Sequence, residues 1–320
     1  MAHDPELVPD ALLDRDGVKA SKSPWGAEDE IGRLNWITPE SNREILEHLD
    51  GKHVFDLNVD YFIGMPSWVA AGDPPYGIWM THTPSGSIAD NLSGAGAAVH
   101  EKYSYCGDSI HMYTHCGTHI DTLNHLGHYG QFWNGWTQDE LLGSRVWTKG
   151  GPEKYPPVIA RGVLLDVAAA KGIDVLPEAY AVTAEDLQEA ARRAKVELRK
   201  KDVVLVRTGR MRVWPDFSGY LERPPGLSLA AARWLCEETG AMCIAADTIA
   251  LEVLPSEQEN VFLPVHAYMF ATAGAQIVEV VDMEEIAAEE QVEFAFLGFP
   301  LKLRGATGAP MPSYAVPLRG

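Results

Sequence analysis

Apolar positions follow two rhythms along this chain. GVLLDVA (162–168), DVVLVRTG (202–209) and AMCIAAD (241–247) are unbroken apolar runs bounded by turn residues, the pattern of strands buried on both faces. Between the first two, Thr183 opens the amphipathic helix LQEAARRAKV with a carboxylate at its third helical position. Ser228 caps a second helix, LAAARWLCEET, which Gly240 is placed to end. Nearer the start, Thr38 and Pro39 lead into the helix SNREILEHL. HVFDLNVDY (53–61) alternates as a half-buried strand does, and VEFAFLGFPLKLRG and SYAVPL add two strands near the end. Strand–helix–strand alternation predicts an α/β fold, a mixed β-sheet with flanking helices in one domain. Residues 63–100, rich in Gly, Pro and Ser, read as a long loop, and such loops are often functional. Residues 1–22 carry neither rhythm and read as a poorly ordered N-terminal extension to a domain spanning 23–320.

Composition narrows the function classes. A hydrophobic fraction of 46% supplies a sizeable core, and the net charge of −19 argues against nucleic-acid and anionic-membrane partners. The N-terminus lacks the order of a signal peptide and no apolar run is long enough to cross a bilayer, so a cytoplasmic protein is expected. Cys106, Cys116, Cys236 and Cys243 have no paired metal spacing and read as reduced thiols. Cys116 reads as packing although histidines surround it.

The candidate chemistry is concentrated in DSIHMYTHCGTHIDTLNHLGHYG (108–130), where five of the chain's eleven histidines fall within eighteen residues. His115, His119 and Asp121 are ligand types for a borderline divalent ion such as Zn²⁺ or Mn²⁺, and three protein ligands leave a position open for catalysis. Gly117-Thr118 lets the backbone turn between them. Much later come His266 and, in the apolar strand QIVEVV, Glu279. A carboxylate there is costly to bury alone; a shared polar site and a structural ion pair both fit this spacing. Asp166 and Asp247 read as caps or loop acceptors, and Arg207, ending a buried strand, as a candidate substrate contact. Phe62, Trp68 and Trp79 lie among the glycines and prolines of the long loop. They read either as the wall of a pocket for a flat or cyclic substrate or as a subunit interface.

HCGTHIDTLNH resembles the HxGTHxDxPxH signature of the metal-dependent cyclase-like hydrolases, which include bacterial kynurenine formamidase and isatin hydrolase. DEIGRLNWIT, GVLLDVA, DVVLVRTG, the His266-to-Glu279 segment and the closing GATGAP turn are similar to the longer members, so the resemblance runs from about Ser23 onward. It implies a swivelling β/β/α sheet domain, assembled as dimers or tetramers. It also implies Zn²⁺ or Mn²⁺ held by His115, His119 and Asp121, with His125 working beside the metal. His266 and Glu279 would complete the site or a second metal position. Leu123 stands where the family has proline, which leaves the ligands intact but sets substrate identity apart from the formamidases. The reaction implied is metal-dependent hydrolysis of an amide, formamide, cyclic imide or lactone in a small cyclic or aromatic substrate. His125, His266 and Glu279 would move protons. A cyclase or dehydratase using the same ion is the runner-up, and a non-catalytic metal-stabilised binding protein is the reading from another class.

Overall fold

The computed structural model describes residues 4–15, 18–91 and 93–319. Its centre is a nine-stranded mixed sheet. In chain order the strands are β1 (Phe55–Asp56), β2 (His119–Asp121), β3 (Val158–Asp166), β4 (Val203–Arg207), β5 (Cys243–Ala246), β6 (Gln276–Glu279), β7 (Glu293–Gly298), β8 (Gly308–Pro310) and β9 (Ser313–Pro317). Across the sheet they run β8-β2-β6-β5-β4-β3-β7-β9-β1. The four in the middle, β6-β5-β4-β3, are mutually parallel, and antiparallel strands flank them on both sides.

The unbroken apolar runs have a direct cause. Val204, Val206, Ile244 and Ile277 face one core, while Val203, Leu205, Cys243, Ala245 and Val278 face another. Successive side chains of a strand point to opposite faces, so a strand covered on both must be apolar throughout. The first core lies under the helix Ala184–Ala194, which buries Leu187 and Ala190, and under the helical stretch Pro264–Ala273, which buries Phe270. Thr183 makes the expected capping box with Asp186, and Thr38 makes one with Ser41. The helix opened by Ser228 and the one ending at Gly274 both widen into a π-helical final turn, closed by glycines at φ +72 and +62.

Three expectations need correction. The strand over 53–61 is paired only at Phe55–Asp56, because the chain then bends away to hold the histidine loop: Val59 N donates to Thr118 Oγ1 at 3.1 Å and Tyr61 Oη to the Thr118 carbonyl at 3.0 Å. The long loop is instead an arm: Gly77–His82 pairs antiparallel with Gly107–His111, with the short helices Pro84–Asp90 and Ala97–His100 between. No residue of Gly77–His82 is buried, so it has no burial rhythm to read. Within the N-terminal 22 residues, those described pack on the domain rather than trailing from it. Ala11–Arg15 and Val18–Ser21 form a hairpin, Leu7 O accepts from Arg33 Nη2 at 3.0 Å, and Glu6 Oε2 accepts from Trp36 Nε1 at 2.9 Å.

Candidate metal centre

β2 is three residues long, yet it sets the geometry of the site. His119 and Asp121 are two apart and share a face, while Ile120 points into the opposite core. β6 lies alongside with Glu279 directly opposite His119 and Ile277 opposite Asp121, so the Glu279 carboxylate falls on that same face. On the other edge Gly308 of β8 stands opposite Asp121, and a Cβ on Gly308 would meet the His115 ring at 2.6 Å. Gly117 has φ +62, and a Cβ there would strike the Tyr61 ring. Both glycines are therefore required by close packing around the loop.

The polar groups converge on Asp121. Its Oδ1 lies 2.5 Å from His115 Nδ1 and 3.2 Å from His119 Nε2; its Oδ2 lies 3.7 Å from both His125 Nε2 and His266 Nε2. Glu279 reaches His119 Nε2 at 3.4 Å and His266 Nε2 at 3.3 Å. The His115 and His125 rings stack with centroids 3.9 Å apart. Except for His125, whose side chain is 21% exposed, these groups are buried. The six sequence-predicted residues of the centre, His115, His119, Asp121, His125, His266 and Glu279, thus meet at one place.

Among the described residues the donors fall into two groups whose ligand atoms lie within 4.8 Å of one another: His115 with Asp121 and His125, and His119 with Asp121 and Glu279. Asp121 belongs to both. The His119 ring donates from Nδ1 to the Gly117 carbonyl at 2.8 Å, which leaves Nε2 as the ligand atom. That Nε2 and Glu279 Oε1 are both buried and make no well-directed hydrogen bond, although His119 Nε2 lies 3.2 Å from Asp121 and Glu279 Oε1 3.3 Å from His266. Poorly paired buried polar atoms are costly, and a cation between them would satisfy both. The donor set therefore fits a divalent ion.

The crowding of opposite charges also sets how these groups titrate. Burial disfavours the His119 imidazolium, but Asp121 and Glu279 outweigh it and hold its pKa up to about 10. Burial disfavours the Asp121 carboxylate too, yet His115 and His125 hold it well below the usual range. Burial and the charge of His115 push His125 down to about 3, so its imidazole is neutral at neutral pH.

Of the remaining candidates, Phe62 packs against the cluster containing Cys116, and Trp68 against the cluster containing Val280. Trp79 is on the arm, 53% exposed. The rings found against the histidines are Tyr113, 4.9 Å from His115, and Phe270, 5.7 Å from His266. Cys116 is buried with its pKa pushed up to about 12, in keeping with packing. Asp166 caps a helical turn at Ala169 N, and Asp247 accepts from Thr208 N and Gly209 N, as read. Arg207 is locked to Asp166 and Glu284, which removes it as a substrate contact.

Sequence reading missed Glu252, whose Oε1 lies 2.5 Å from His266 Nδ1, and Thr307, whose Oγ1 lies 2.9 Å from His115 Nε2. A signal for Glu252 was present: it interrupts the apolar stretch IALEVL, the same anomaly that marked Glu279.

Comparison with known proteins closes the argument. A search of curated proteins finds no match. A crystal structure described as a novel cyclase is 29% identical, superposes with a TM-score of 0.78 and covers 91% of this chain and 95% of its own. Isatin hydrolase A from Ralstonia solanacearum is 19% identical with a TM-score of 0.62, over 83% of this chain and 92% of its own. A potential metal-dependent hydrolase with cyclase activity is 18% identical with a TM-score of 0.51, over 82% and 98%. The last two speak to the fold alone. The family model for putative cyclases matches residues 55–253, well over half of the chain, and the chain belongs to that Cyclase family.

Proposed function

We propose that this chain is a metal-dependent hydrolase acting on an amide, formamide, cyclic imide or lactone of a small cyclic or aromatic substrate. The observation that carries the reading is the buried donor set around Asp121 with its poorly paired His119 Nε2 and Glu279 Oε1. The names of the isatin hydrolase and metal-dependent hydrolase relatives favour it. His115, His119 and Asp121 would hold Zn²⁺ or Mn²⁺, with Glu279 within reach of the same space. When bound, such an ion supplies Lewis acidity, polarising a carbonyl and making water more acidic. The residues around it do the rest. His125, neutral and partly open to solvent, accepts the proton of the attacking water and returns it to the leaving nitrogen or oxygen. His266 and Glu279, 3.3 Å apart, form a second proton path on the other side of Asp121. Phe62 and Trp68, packed behind the residues that adjoin His115 and Glu279, are the aromatic wall we assign to substrate selection, with Trp79 further out.

The family description as a putative cyclase keeps a cyclase or dehydratase as the second reading. Metal analysis of protein purified without added metal, then a panel of formamides, lactones and cyclic imides, tests the proposal. The expected result is turnover with uptake of one water, lost on chelation while the fold persists. Unfolding on chelation would instead mark a structural metal, and turnover without water uptake would mark the cyclase.

The chain works as a homo-oligomer in the reducing cytoplasm, a setting favoured by four free cysteines and by the lack, among the described residues, of any helix long and apolar enough to cross a membrane. The surface we assign to a second copy is the arm. Ile78, Trp79, Met80, Tyr103, Tyr105 and Ile110 are each at least 43% exposed. Ile78, Met80 and Ile110 share one face of the two paired strands and Trp79 takes the other, so the arm offers apolar surface on both sides. Between Tyr76 and His111 the charged residues are Asp90, Glu101, Lys102 and Asp108, so the arm is far less acidic than the chain of charge −19 and two copies can meet there with modest repulsion. Light scattering should give a dimer or larger for the native chain and a monomer for Ile78→Asp/Ile110→Asp; a native monomer would refute the assignment.

A further inference from the structure

Glu252 is the buried acid beside the centre that belongs to neither donor group. It is 1% exposed. Its backbone is fixed first: residue 252 bridges to Leu227, and a Cβ on Gly226 would meet the Glu252 carbonyl carbon at 2.3 Å, so the two segments lie in direct contact. Its carboxylate then receives three hydrogen bonds from one short stretch. Oε1 accepts from His266 N at 2.9 Å and lies 2.5 Å from His266 Nδ1, and Oε2 accepts from Val265 N at 3.2 Å.

A carboxylate is an acceptor only, so the ring atom facing it must carry the proton. With Nδ1 engaged, the rotation of the imidazole is set and Nε2 is turned to the centre, 3.3 Å from Glu279 Oε1 and 3.7 Å from Asp121 Oδ2. We infer that Glu252 is a positioning residue: by holding Nδ1–H of His266 it fixes which nitrogen faces Asp121 and Glu279. The bland alternative is that Glu252 only caps the two backbone amides at the start of the turn Pro264–Ala267. The two roles separate in Glu252→Gln. The amide oxygen of glutamine still accepts from backbone N–H groups, but its NH₂ can equally donate to an unprotonated Nδ1, so the ring loses its enforced tautomer.

The proposal deepens the metal-hydrolase reading of the same site, and its first measurement does not depend on that reading. In ¹⁵N-histidine-labelled native protein loaded with Zn²⁺, His266, assigned by its absence in His266→Gln, should show a protonated Nδ1 with a strongly downfield proton. An unprotonated Nδ1 in the native protein would overturn the inference, whether or not the Glu252 variants fold. In Glu252→Gln that proton signal should move upfield or split between tautomers, while Glu252→Asp keeps it downfield. On a substrate found by the panel, Glu252→Gln should lose about 10–100-fold in kcat, the usual effect of a group behind a functional histidine, with KM within a few-fold. A Glu252→Gln protein with the native Nδ1 signal and native kcat would reduce Glu252 to a cap. If no substrate turns over even with the native enzyme, the hydrolase reading fails and the resonance still decides the role of Glu252.

Discussion

β2 and the first strand of the arm break the usual partition of residues in opposite directions. His119–Asp121 is polar at two of three positions and wholly buried; Gly77–His82 carries Ile78, Trp79 and Met80 and buries none of them. Buried polar groups and exposed apolar ones are the informative exceptions in a soluble protein. The first persists because Asp121 ties four imidazoles together, and a bound cation would satisfy what the chain leaves open. Among the described residues the second pairs with no other sheet, and a lone two-stranded ribbon is marginal without something to pack on. One region fits an ion; the other is the surface we propose for a second copy.

Changes to the two regions should therefore separate cleanly. The largest effect belongs to Asp121→Asn, which weakens both donor groups at once. We expect loss of bound metal by elemental analysis and a fall in turnover of about 10³-fold or more; stoichiometric metal in the variant would contradict the shared role. Next is His125→Ala, expected to keep its metal and lose about 10²–10⁴-fold in kcat. Loss of the metal would place His125 in the donor set and give the proton-transfer role to another residue. Then comes Tyr155→Phe. Tyr155 Oη accepts from Leu123 N at 3.0 Å, so the variant leaves a buried N–H unpaired behind the histidine loop and should cost about 1–3 kcal/mol in a denaturant titration. Smallest is Trp79→Ala on the arm, expected to leave metal content unchanged and the stability of the single chain within about 0.5 kcal/mol. A drop in metal content there would dissolve the contrast between the regions.

Tyr155 also explains what a short motif could not convey. Leu123 stands where the family carries proline, and proline has no N–H to give Tyr155. In this chain the position anchors the loop to a buried tyrosine, a contact that spacing alone cannot reveal. The sheet was legible because strands covered on both faces are apolar throughout, and that pattern is local. The donors were legible because their types are rare and close together. Thr307 was not marked as a site residue because its contact with His115 depends on how distant segments pack; Glu252 left a signal in its apolar stretch, and Tyr113 and Phe270, two and four residues from His115 and His266, look in sequence like ordinary packing rings. The arm was illegible for the opposite reason: with neither face buried, it has no alternation to betray it. The strand over 53–61 was overread because residues beyond Asp56 serve the histidine loop rather than the sheet.

The pairing of His119 with Glu279 across β2 and β6 bears on how the centre comes into being during synthesis. A chain emerging from the ribosome presents the histidine loop early, but Glu252, His266, Glu279 and Thr307 all follow His125 by 127 residues or more. Until β6 slots in beside β2, the loop is a run of exposed imidazoles able to take up metal loosely, with no carboxylate from β6 to select or retain it. Domains tend to fold as units, and contacts this distant in sequence form late. Tight capture of the proposed metal would therefore be a property of the finished chain, and a ribosome-bound fragment ending before Glu279 should release such an ion readily to a chelator.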